Sequence, residues 1–346
     1  MPETNPFDPQ DMNAAIEALG ANLKSGWQLG LQMEVPKVDT LRQIVICGMG
    51  GSAIGGDFTT AYLADQLSIP TTAHRNYGLP GWARGPETLV ICSSHSGNTE
   101  ETLSSFEEAL QHGCTLMSIC TGGKLAELSK ESGKTCWKFD HIGQPRTAIG
   151  WTVGLLLALF FRLGLIDDQS LAVEDAASIL AEGNTKLGKD SPVASNPAKR
   201  LAGQLLGRNI VIYGSGEMDV IARRWKSEIN ELAKAWAAFE AIPEMNHNAL
   251  AGLCHPESLY EHTSAIFLRS DFDHERNQKR IELSQQFFLE AGVAVDSVRA
   301  RGEGKLAQMF SLLQFGDFVS YYLALAYGED PTPIEALNEL KRLLAD

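Results

Sequence analysis

Short apolar runs alternate with amphipathic stretches along the first half of the chain. The strand-like runs are IVIC (44–47), TTAH (71–74), TLVICS (88–93), TLMSIC (115–120) and KTCWKF (134–139). Segments of about 10 to 15 residues with helical spacing separate most of them. Buried strands that alternate with helices are typical of a parallel sheet covered on both faces, so the pattern predicts a doubly wound α/β fold.

The first of these runs returns in the second half of the chain. IVICGMG at 44–50 and IVIYGSG at 210–216 share five of seven positions. Further strand-like runs follow at 235–239, 264–269 and 293–298. A repeated opening motif followed by the same kind of strands predicts two similar doubly wound parallel-sheet domains.

A stretch of different character joins the two halves. Residues 166–205 are polar and mostly helical in pattern. We therefore place the first domain at residues 1–165 and the second at residues 206–346, and the chain is long enough to bury two cores.

Ahead of the first strand, residues 11–31 have helical spacing with Asp11 as the expected N-cap.

The composition limits the possible partners. With a formal net charge of −14 and a sequence pI near 5.1, the chain lacks the positive charge that is typical of proteins that bind nucleic acids or anionic membranes.

The apolar run at 151–166 carries Arg162 and is shorter than the roughly 20 residues that span a bilayer, so we predict a core or interface helix. The opening MPETNPFDPQ lacks the basic and apolar regions of a signal peptide.

The six cysteines are scattered, and no pair has the CxxC spacing of a zinc or redox site. We interpret them as small buried apolar residues of a protein in a reducing compartment, and we expect a cytoplasmic location. Histidines, cysteines and acidic residues do not cluster with metal-ligand spacing, so neither a metal nor another cofactor is expected.

Two polar loops follow strands of the first predicted sheet. CGMGGSAIGGD (47–57) places glycines and a serine between a strand and a helix, and SSHSGNTEET (93–102) follows another strand. Ligands of open parallel sheets bind at the carboxyl ends of the strands, where helix N-termini and short hydroxyls can hold a phosphate without a lysine. In the second half, LRSDFDHER (268–276) has Asp271 and Asp273 at the corresponding point, so only the first half is predicted to bind an anion.

Simpler interpretations exist for each loop alone. A GMGGSA turn after a strand could open a dinucleotide-binding site, but the next strand ends with His74 and Arg75 rather than with an acidic residue. The serine cluster could be ordinary chemistry of a helix start. The presence of both loops on one sheet favours phosphate binding.

Several motifs together resemble a known family. GMGGSAIGG, SSHSGNTEET and TGGKLAEL (121–128) are similar to the loops of the sugar isomerase (SIS) domain family of phosphosugar-binding modules. Four later motifs resemble the bifunctional phosphoglucose/phosphomannose isomerases within it: QPRTAIG (144–150), KSEINELAK (226–234), EMNHN (244–248) and DPTPIEALNELKRL (330–343). The resemblance covers nearly the whole chain. It implies two flavodoxin-like SIS domains that interconvert glucose 6-phosphate, and also mannose 6-phosphate, with fructose 6-phosphate through a cis-enediol.

The resemblance also implies roles for individual residues. Glu231 would move a proton between C1 and C2, and Arg146 would stabilise the enediolate. His247 and Lys341 would assist ring opening and contact the sugar oxygens. The substrate phosphate would bind to six residues of the two loops, Gly50, Gly51, Ser52, Ser94, Ser96 and Thr99.

Three further expectations concern assembly and selectivity. The family pattern implies a homodimer in which His247 comes from the neighbouring subunit, and the apolar run at 151–166 favours such a dimer as well. Thr332 is a candidate for positioning the C2–C3 rotation that distinguishes the two aldoses. His95 stands where relatives often carry an aromatic residue, so its role is open.

Aldose–ketose interconversion needs these residue types on general grounds. One carboxylate can take a proton from carbon beside a carbonyl and return it to the adjacent carbon. A cation stabilises the developing oxyanion, and a neutral imidazole can pass the ring-opening proton near pH 7. If a helix begins near Glu217, Glu231 lies roughly 21 Å along it, so a catalytic role requires that the first domain complete the site.

Other interpretations stay open. A glutamate late in a helix, a lone histidine and a lysine in a charged helix are often solvated surface residues, and Arg146 could form a salt bridge at a helix start. The chain could be a non-catalytic phosphosugar sensor, which would bind without turnover. It could also be the isomerase part of a glucosamine 6-phosphate synthase, which would need a glutaminase partner.

Overall fold

The computed structural model describes residues 6–344. Contacts divide the chain into two compact units, of which the leading unit is Ala18–Ser178. The trailing unit combines the residues up to Glu17 with those from Ile179 onward. The connection predicted at 166–205 thus begins in the leading unit and ends in the trailing one, because the helix Ser170–Leu187 contains the division.

Helices and strands alternate along both units. The helices are α1 (Met12–Glu17), α2 (Leu19–Gly30), α3 (Gly50–Tyr62), α4 (Glu100–Gln111), α5 (Gly123–Glu131), α6 (Ile149–Arg162), α7 (Ser170–Leu187), α8 (Pro197–Leu205), α9 (Met218–Leu232), α10 (Glu275–Glu290), α11 (Lys305–Tyr327) and α12 (Glu335–Leu344). The strands are β1 (Gln43–Cys47), β2 (Thr71–His74), β3 (Thr88–Ser94), β4 (Thr115–Cys120), β5 (Thr135–Lys138), β6 (Asn209–Ser215), β7 (Ala237–Ile242), β8 (Thr263–Arg269) and β9 (Ala294–Arg299).

The leading unit is built on a parallel sheet with strand order β2-β1-β3-β4-β5. This is the flavodoxin-like order, in which the direction of winding reverses between β1 and β3. Every residue of β3 is buried, as expected for a strand covered by helices on both faces. The predicted doubly wound parallel fold is confirmed.

The apolar run at 151–166 belongs mostly to α6, a core helix of the leading unit. Glycines bring α6 and α2 into backbone contact: a Cβ at Gly26 would lie 2.6 Å from the carbonyl oxygen of Trp151, and one at Gly154 would lie 2.6 Å from the nitrogen of Trp27. The apolar side chains of α6 are therefore covered within the unit. Their hydrophobicity by itself gives no reason to expect a second subunit, contrary to the sequence-based argument.

The trailing unit repeats this topology with one strand fewer. Its parallel sheet has the order β7-β6-β8-β9. The two copies of the repeated motif, at 44–50 and 210–216, therefore begin in strands at equivalent positions, β1 and β6. After β6, α9 begins at Met218, close to the helix start predicted at Glu217.

The predicted helix at 11–31 is interrupted at Ala18, where the division between the units falls. The N–H of Ala14 donates to Oδ1 of Asp11 (3.3 Å), as expected of an N-cap. The carboxylate of Asp8 accepts hydrogen bonds from the N–H of Met12 (2.7 Å) and the hydroxyl of Tyr321 (3.0 Å). These contacts attach α1 to α11 in the trailing unit.

Helix α11 is the central helix of the trailing unit and packs against α8 and α9. By length and composition it could cross a bilayer, but 83% of its most apolar stretch is buried inside the protein. We interpret it as a core helix. This helix, rather than the shorter run at 151–166, is the one of membrane-spanning length among the described residues.

Candidate active site

The glycine and serine loops of the leading unit meet where the sheet reverses its direction of winding. Gly50, Gly51 and Ser52 form the first turn of α3, directly after β1. The serine loop, residues 94–99, leads from the end of β3 into α4. The main-chain N–H of His95 donates to Oγ of Ser52 (3.2 Å), so the two loops are joined. Two helix N-termini thus lie at one sheet edge, which is a favourable environment for an anion.

Hydrogen bonds within the serine loop hold its hydroxyl groups in place. The hydroxyls of Ser94 and Thr99 share a hydrogen bond of 2.8 Å. The N–H of Asn98 donates to Oγ of Ser96 (3.2 Å), and Gly97 takes a left-handed conformation with φ of 69°. Ser52 and Ser94 are buried and Ser96 is exposed, so the hydroxyls line the loop from its interior to its surface.

A third loop, residues 121–124, supports the serine loop from the neighbouring strand β4. The N–H and the hydroxyl of Thr121 both donate to the carbonyl oxygen of His95, at 3.0 and 2.7 Å. The N–H of Lys124 donates to Oδ1 of Asn98 (3.0 Å). A Cβ at Gly97 would collide with the carbonyl oxygen of Gly122. The TGGKLAEL motif therefore fixes the shape of the serine loop.

The turn that carries Arg146 packs onto the glycine loop. Arg146 lies in the 3-10 helix Pro145–Ala148 and is only 3% exposed. A Cβ at Gly51 would lie 2.9 Å from the carbonyl oxygen of Pro145 and 3.1 Å from Cα of Arg146, so only glycine fits here without a shift. The leading unit thus brings together the six predicted phosphate-binding residues and Arg146.

Glu231 lies in the last turn of α9 and is partly buried in the trailing unit. It shares a helix face with Arg224, seven residues earlier. The Arg224 guanidinium is 2.8 Å from Glu228 and 3.1 Å from Asp317, and all three side chains are almost completely buried. Burial lowers the pKa of Arg224, but the carboxylates of Asp317, Glu228 and Glu231 outweigh it and raise the pKa. Glu231 therefore lies in the field of a buried cation.

The other predicted catalytic residues of the trailing unit lie on separate elements. His247 is exposed and ends the 3-10 helix Glu244–His247, after β7. Lys341 is exposed on α12. Thr332 is buried, and its N–H donates to Oδ1 of Asp330 (2.9 Å). The roles of these three residues and of Glu231 stay predictions.

Two groups of interacting polar residues, one in each unit, were missed from the sequence. The first is Arg224 with Glu228 and Asp317; the spacing of four between Arg224 and Glu228 on a helix was a usable signal. The second is His141, whose ring nitrogen is 2.9 Å from that of His95. No sequence signal linked His95 to His141, because 46 residues separate them.

The cysteines are all free, and their burial differs from the sequence-based expectation in part. Cys47, Cys92, Cys114 and Cys120 are buried, which confirms the expectation for these four. Cys254 is exposed, so for it the expectation is wrong; the 3-10 turns around it lie at the surface. Cys136 is half-buried on the edge strand β5, and its sulfur is 3.7 Å from that of Cys120.

We predict that Cys136 reacts with iodoacetamide near neutral pH. A hydrogen bond from Cys120, assisted by Ser129 and Lys138, outweighs burial and lowers the pKa of Cys136 to about 7. Because the thiolate is the nucleophile, the alkylation rate should rise with pH through a midpoint near 7. Peptide mapping after timed labelling would measure it, with Cys136→Ser as the control. A midpoint near the ordinary thiol value of about 8.5 would contradict the prediction.

A cavity of about 560 Å³ lies in the trailing unit beside β9. Three of the four basic side chains that line it are paired with carboxylates: Arg299 with Asp271 (2.7 Å), and Arg301 and Lys186 with Glu182 (3.2 and 4.0 Å). The fourth is Arg200, and Asp296 adds a carboxylate to the lining. Over residues 6–344, the structure contains no group of three or more His, Cys, Asp or Glu that could hold a metal ion.

Comparisons with known proteins agree with this architecture. The family of bacterial phospho-glucose isomerase C-terminal SIS domains matches residues 194–344. The chain is 36% identical to a bifunctional phosphoglucose/phosphomannose isomerase of Caldicellulosiruptor bescii, over 97% of this chain and 99% of that protein. It is 35% identical to the Aquifex aeolicus protein of the same name, over 87% of this chain and 90% of that protein.

A solved structure supports the fold. The glucose-6-phosphate isomerase like protein from Thermus thermophilus matches with a TM-score of 0.65 and 20% identity, over 99% of this chain and 98% of that one. The two parallel sheets thus define an α/β protein of the sugar isomerase (SIS) domain fold. The 20% identity to this solved structure supports the fold alone. The two curated relatives are 36% and 35% identical and match over nearly their whole length. The chain therefore belongs to the family of bifunctional phosphoglucose/phosphomannose isomerases, which confirms the resemblance drawn from its motifs.

Proposed function

We propose that the protein is an aldose–ketose isomerase that interconverts glucose 6-phosphate and mannose 6-phosphate with fructose 6-phosphate. The observation that carries this proposal is the convergence of the glycine loop, the serine loop and buried Arg146 in the leading unit. Hydroxyls and main-chain N–H groups suit a phosphate dianion, and an arginine beside them suits a developing enediolate. Membership of the family supports the same reaction.

In the proposed mechanism, the leading unit holds the phosphate through Gly50, Gly51, Ser52, Ser94, Ser96 and Thr99. His247 and Lys341 assist opening of the ring, so that a carbonyl becomes available. Glu231 then removes the proton from the carbon next to this carbonyl and returns it to the adjacent carbon. Arg146 stabilises the negative oxygen of the cis-enediol between the two transfers. Rotation about C2–C3, for which Thr332 is the candidate residue, allows the proton to reach either face of C2.

Incubation with fructose 6-phosphate in deuterium oxide would test the proposal. We expect both aldose phosphates to form and to carry deuterium at C2, because the proton on Glu231 exchanges with solvent during the life of the enediol. Sugar phosphates would be quantified by NMR. Binding of fructose 6-phosphate without any turnover would contradict an isomerase and favour a sensor. Turnover without deuterium would contradict exchange of the transferred proton with solvent during the life of the enediol.

We further propose a homodimer in which His247 acts in the site of the neighbouring subunit. His247 lies at the surface of its own unit, where a partner could receive it. Mixing and refolding two inactive variants, Glu231→Gln and His247→Asn, tests this directly. With equal amounts of the two variants, random pairing makes about half of the dimers mixed. If His247 acts across the dimer, one of the two sites in each mixed dimer is intact, so roughly a quarter of the wild-type activity returns. No recovery from a mixture shown by sedimentation to contain dimers would overturn the arrangement.

We predict that Gly51→Ala lowers kcat/KM for fructose 6-phosphate by roughly tenfold to a hundredfold. The added methyl group would press against Pro145 and Arg146 at 2.9 and 3.1 Å, so the arginine turn must move away from the glycine loop. Steady-state kinetics would measure the loss. The control is Gly81→Ala, because a Cβ there meets nothing within 4 Å. Equal kinetics for the two variants would contradict the prediction.

A further inference from the structure

A chain of side-chain hydrogen bonds links the serine loop to the arginine turn inside the leading unit. Nε2 of His95 is 2.9 Å from Nδ1 of His141. Nε2 of His141 is 3.4 Å from Oγ1 of Thr147, the residue that follows Arg146. Oγ1 of Thr147 is 2.8 Å from the carbonyl oxygen of Gln144, at the start of the same turn. These hydrogen bonds therefore run from the phosphate-binding loop to the turn that carries Arg146, the proposed oxyanion-stabilising residue.

The donor and acceptor of every hydrogen bond in this chain follow from its final acceptor, the carbonyl oxygen of Gln144. A carbonyl oxygen can only accept, so the Thr147 hydroxyl donates to Gln144 and must accept from His141. The Nε2 of His141 therefore carries its proton, and the Nδ1 of the neutral ring is an acceptor. Nε2 of His95 must then be a donor. Both rings are in the same Nε2–H tautomer, with a single donor direction from His95 to Gln144.

The surroundings keep both imidazoles neutral. Burial, followed by the neighbouring His141, lowers the pKa of His95 to about 4, and burial also lowers the pKa of His141. The ring of His95 contacts the edge of Phe139 (6.0 Å between centroids), and Phe139 stacks on Trp151 (5.5 Å). A neutral pair beside apolar rings keeps its hydrogen-bond direction at the pH values at which isomerisation would be measured.

The main chain of His95 already connects the loops of the candidate site. Its N–H contacts Ser52 of the glycine loop and its carbonyl oxygen contacts Thr121 of the third loop. The side chain adds the remaining link, to the turn of Arg146. Phosphate-binding residues and Arg146 would act on opposite ends of a sugar phosphate, so the distance between them determines whether the arginine meets the reacting oxygen.

We propose that His141 is a positioning residue, which fixes the Arg146 turn relative to the serine loop by accepting from His95 and donating to Thr147. The inference rests on the proposed function for the role of Arg146, but the hydrogen-bond chain itself does not. Loss of the chain should misplace Arg146 and lower kcat, while the phosphate contacts that dominate KM stay in place.

Two substitutions at His141 distinguish positioning from packing. His141→Gln can still accept and donate through its amide, whereas His141→Phe keeps the ring but has no hydrogen-bonding group. We expect kcat for fructose 6-phosphate to fall at least tenfold in His141→Phe with KM within threefold of wild type, and to recover most of this loss in His141→Gln. If the ring served only to fill space, the phenylalanine variant would be the better enzyme. That ranking, or a kcat for His141→Phe within twofold of wild type, would overturn the proposal.

Three further measurements complete the test. His112→Phe is the matched control. This half-buried histidine contacts the carbonyl oxygen of Ala83 and takes no part in the hydrogen-bond chain described above, so the kcat of the variant should equal that of the wild type. Should His141→Phe fail to fold, Thr147→Val against Thr147→Ser repeats the comparison at the next link. NMR spectra of the wild type with ¹⁵N-labelled histidine report the tautomers without any turnover. An Nδ1–H tautomer at either ring would overturn the chain, even if the protein proved not to be an isomerase.

Discussion

Replacing Glu231 with glutamine is expected to lower kcat for fructose 6-phosphate isomerisation by about 10³-fold, with KM within a fewfold of wild type. The amide has nearly the same shape as the carboxylate but cannot take a proton from carbon. Glu231 lies in α9 of the trailing unit and not in the glycine or serine loop, so this substitution changes the proton-transfer step without removing a phosphate contact. Steady-state rates of both aldose products would measure the effect.

The control for this substitution is Glu290→Gln, which removes the same charge from an exposed position on α10. Its kinetics should match those of the wild type. Deuterium incorporation in Glu231→Gln should fall by the same factor as turnover, because one carboxylate makes both proton transfers in the proposed mechanism. A variant that keeps a tenth or more of the wild-type kcat would exclude Glu231 as the base.

Replacing Arg224 with methionine is expected to lower the free energy of unfolding of the trailing unit by about 3–5 kcal/mol. Methionine fills similar space, but it leaves the carboxylates of Glu228 and Asp317 buried at 3% and 7% side-chain exposure without their cation. Breaking a buried ion pair from one side costs far more than the pair contributes net, since the remaining charges keep their desolvation penalty. Urea denaturation followed by circular dichroism would measure the change.

A triple variant separates this explanation from simple loss of packing. Arg224→Met combined with Glu228→Gln and Asp317→Asn removes the charges of the three almost completely buried side chains, so it should be more stable than Arg224→Met alone. Arg299→Met is the surface control: its partner Asp271 is 2.7 Å away, but both side chains are largely exposed, and the loss should be about 1 kcal/mol or less. Equal losses at Arg224 and Arg299 would contradict the interpretation.

The hydrophobic pattern predicted the sheets of both units well, for a physical reason. The bounds of β2 and β4 agree with the runs at 71–74 and 115–120. For β4 the reason is that a buried parallel strand is apolar on both faces and ends at a polar turn, whereas β2 is a half-buried edge strand. The run at 235–239 was displaced, since β7 is Ala237–Ile242. Trp236 suggests a strand by its chemistry but is 80% exposed, and Lys234 has a φ of 52° in the turn that ends α9.

The site was predictable where its residues are close in sequence. The glycine and serine loops each show their chemistry in a few consecutive residues, and strand order alone places them at one edge of the sheet. Contacts over long separations were not predictable: Asp317 lies 93 residues from Arg224, and His141 lies 46 from His95. Local periodicity contains no information about such pairs, because only the folded topology brings them together.

The discontinuity of the trailing unit has a consequence for synthesis on the ribosome. The leading unit, 18–178, is continuous and can fold once its last strand and helix have emerged, while most of the trailing unit is not yet made. Asp8 and Tyr321, which form a hydrogen bond, are 313 residues apart. At ordinary elongation rates, the time between synthesis of α1 and synthesis of α11 is therefore on the order of tens of seconds. During this interval the apolar side chains of Met12 and Ile16 have no native surface to cover them, so α1 is a natural binding segment for chaperones on the nascent polypeptide.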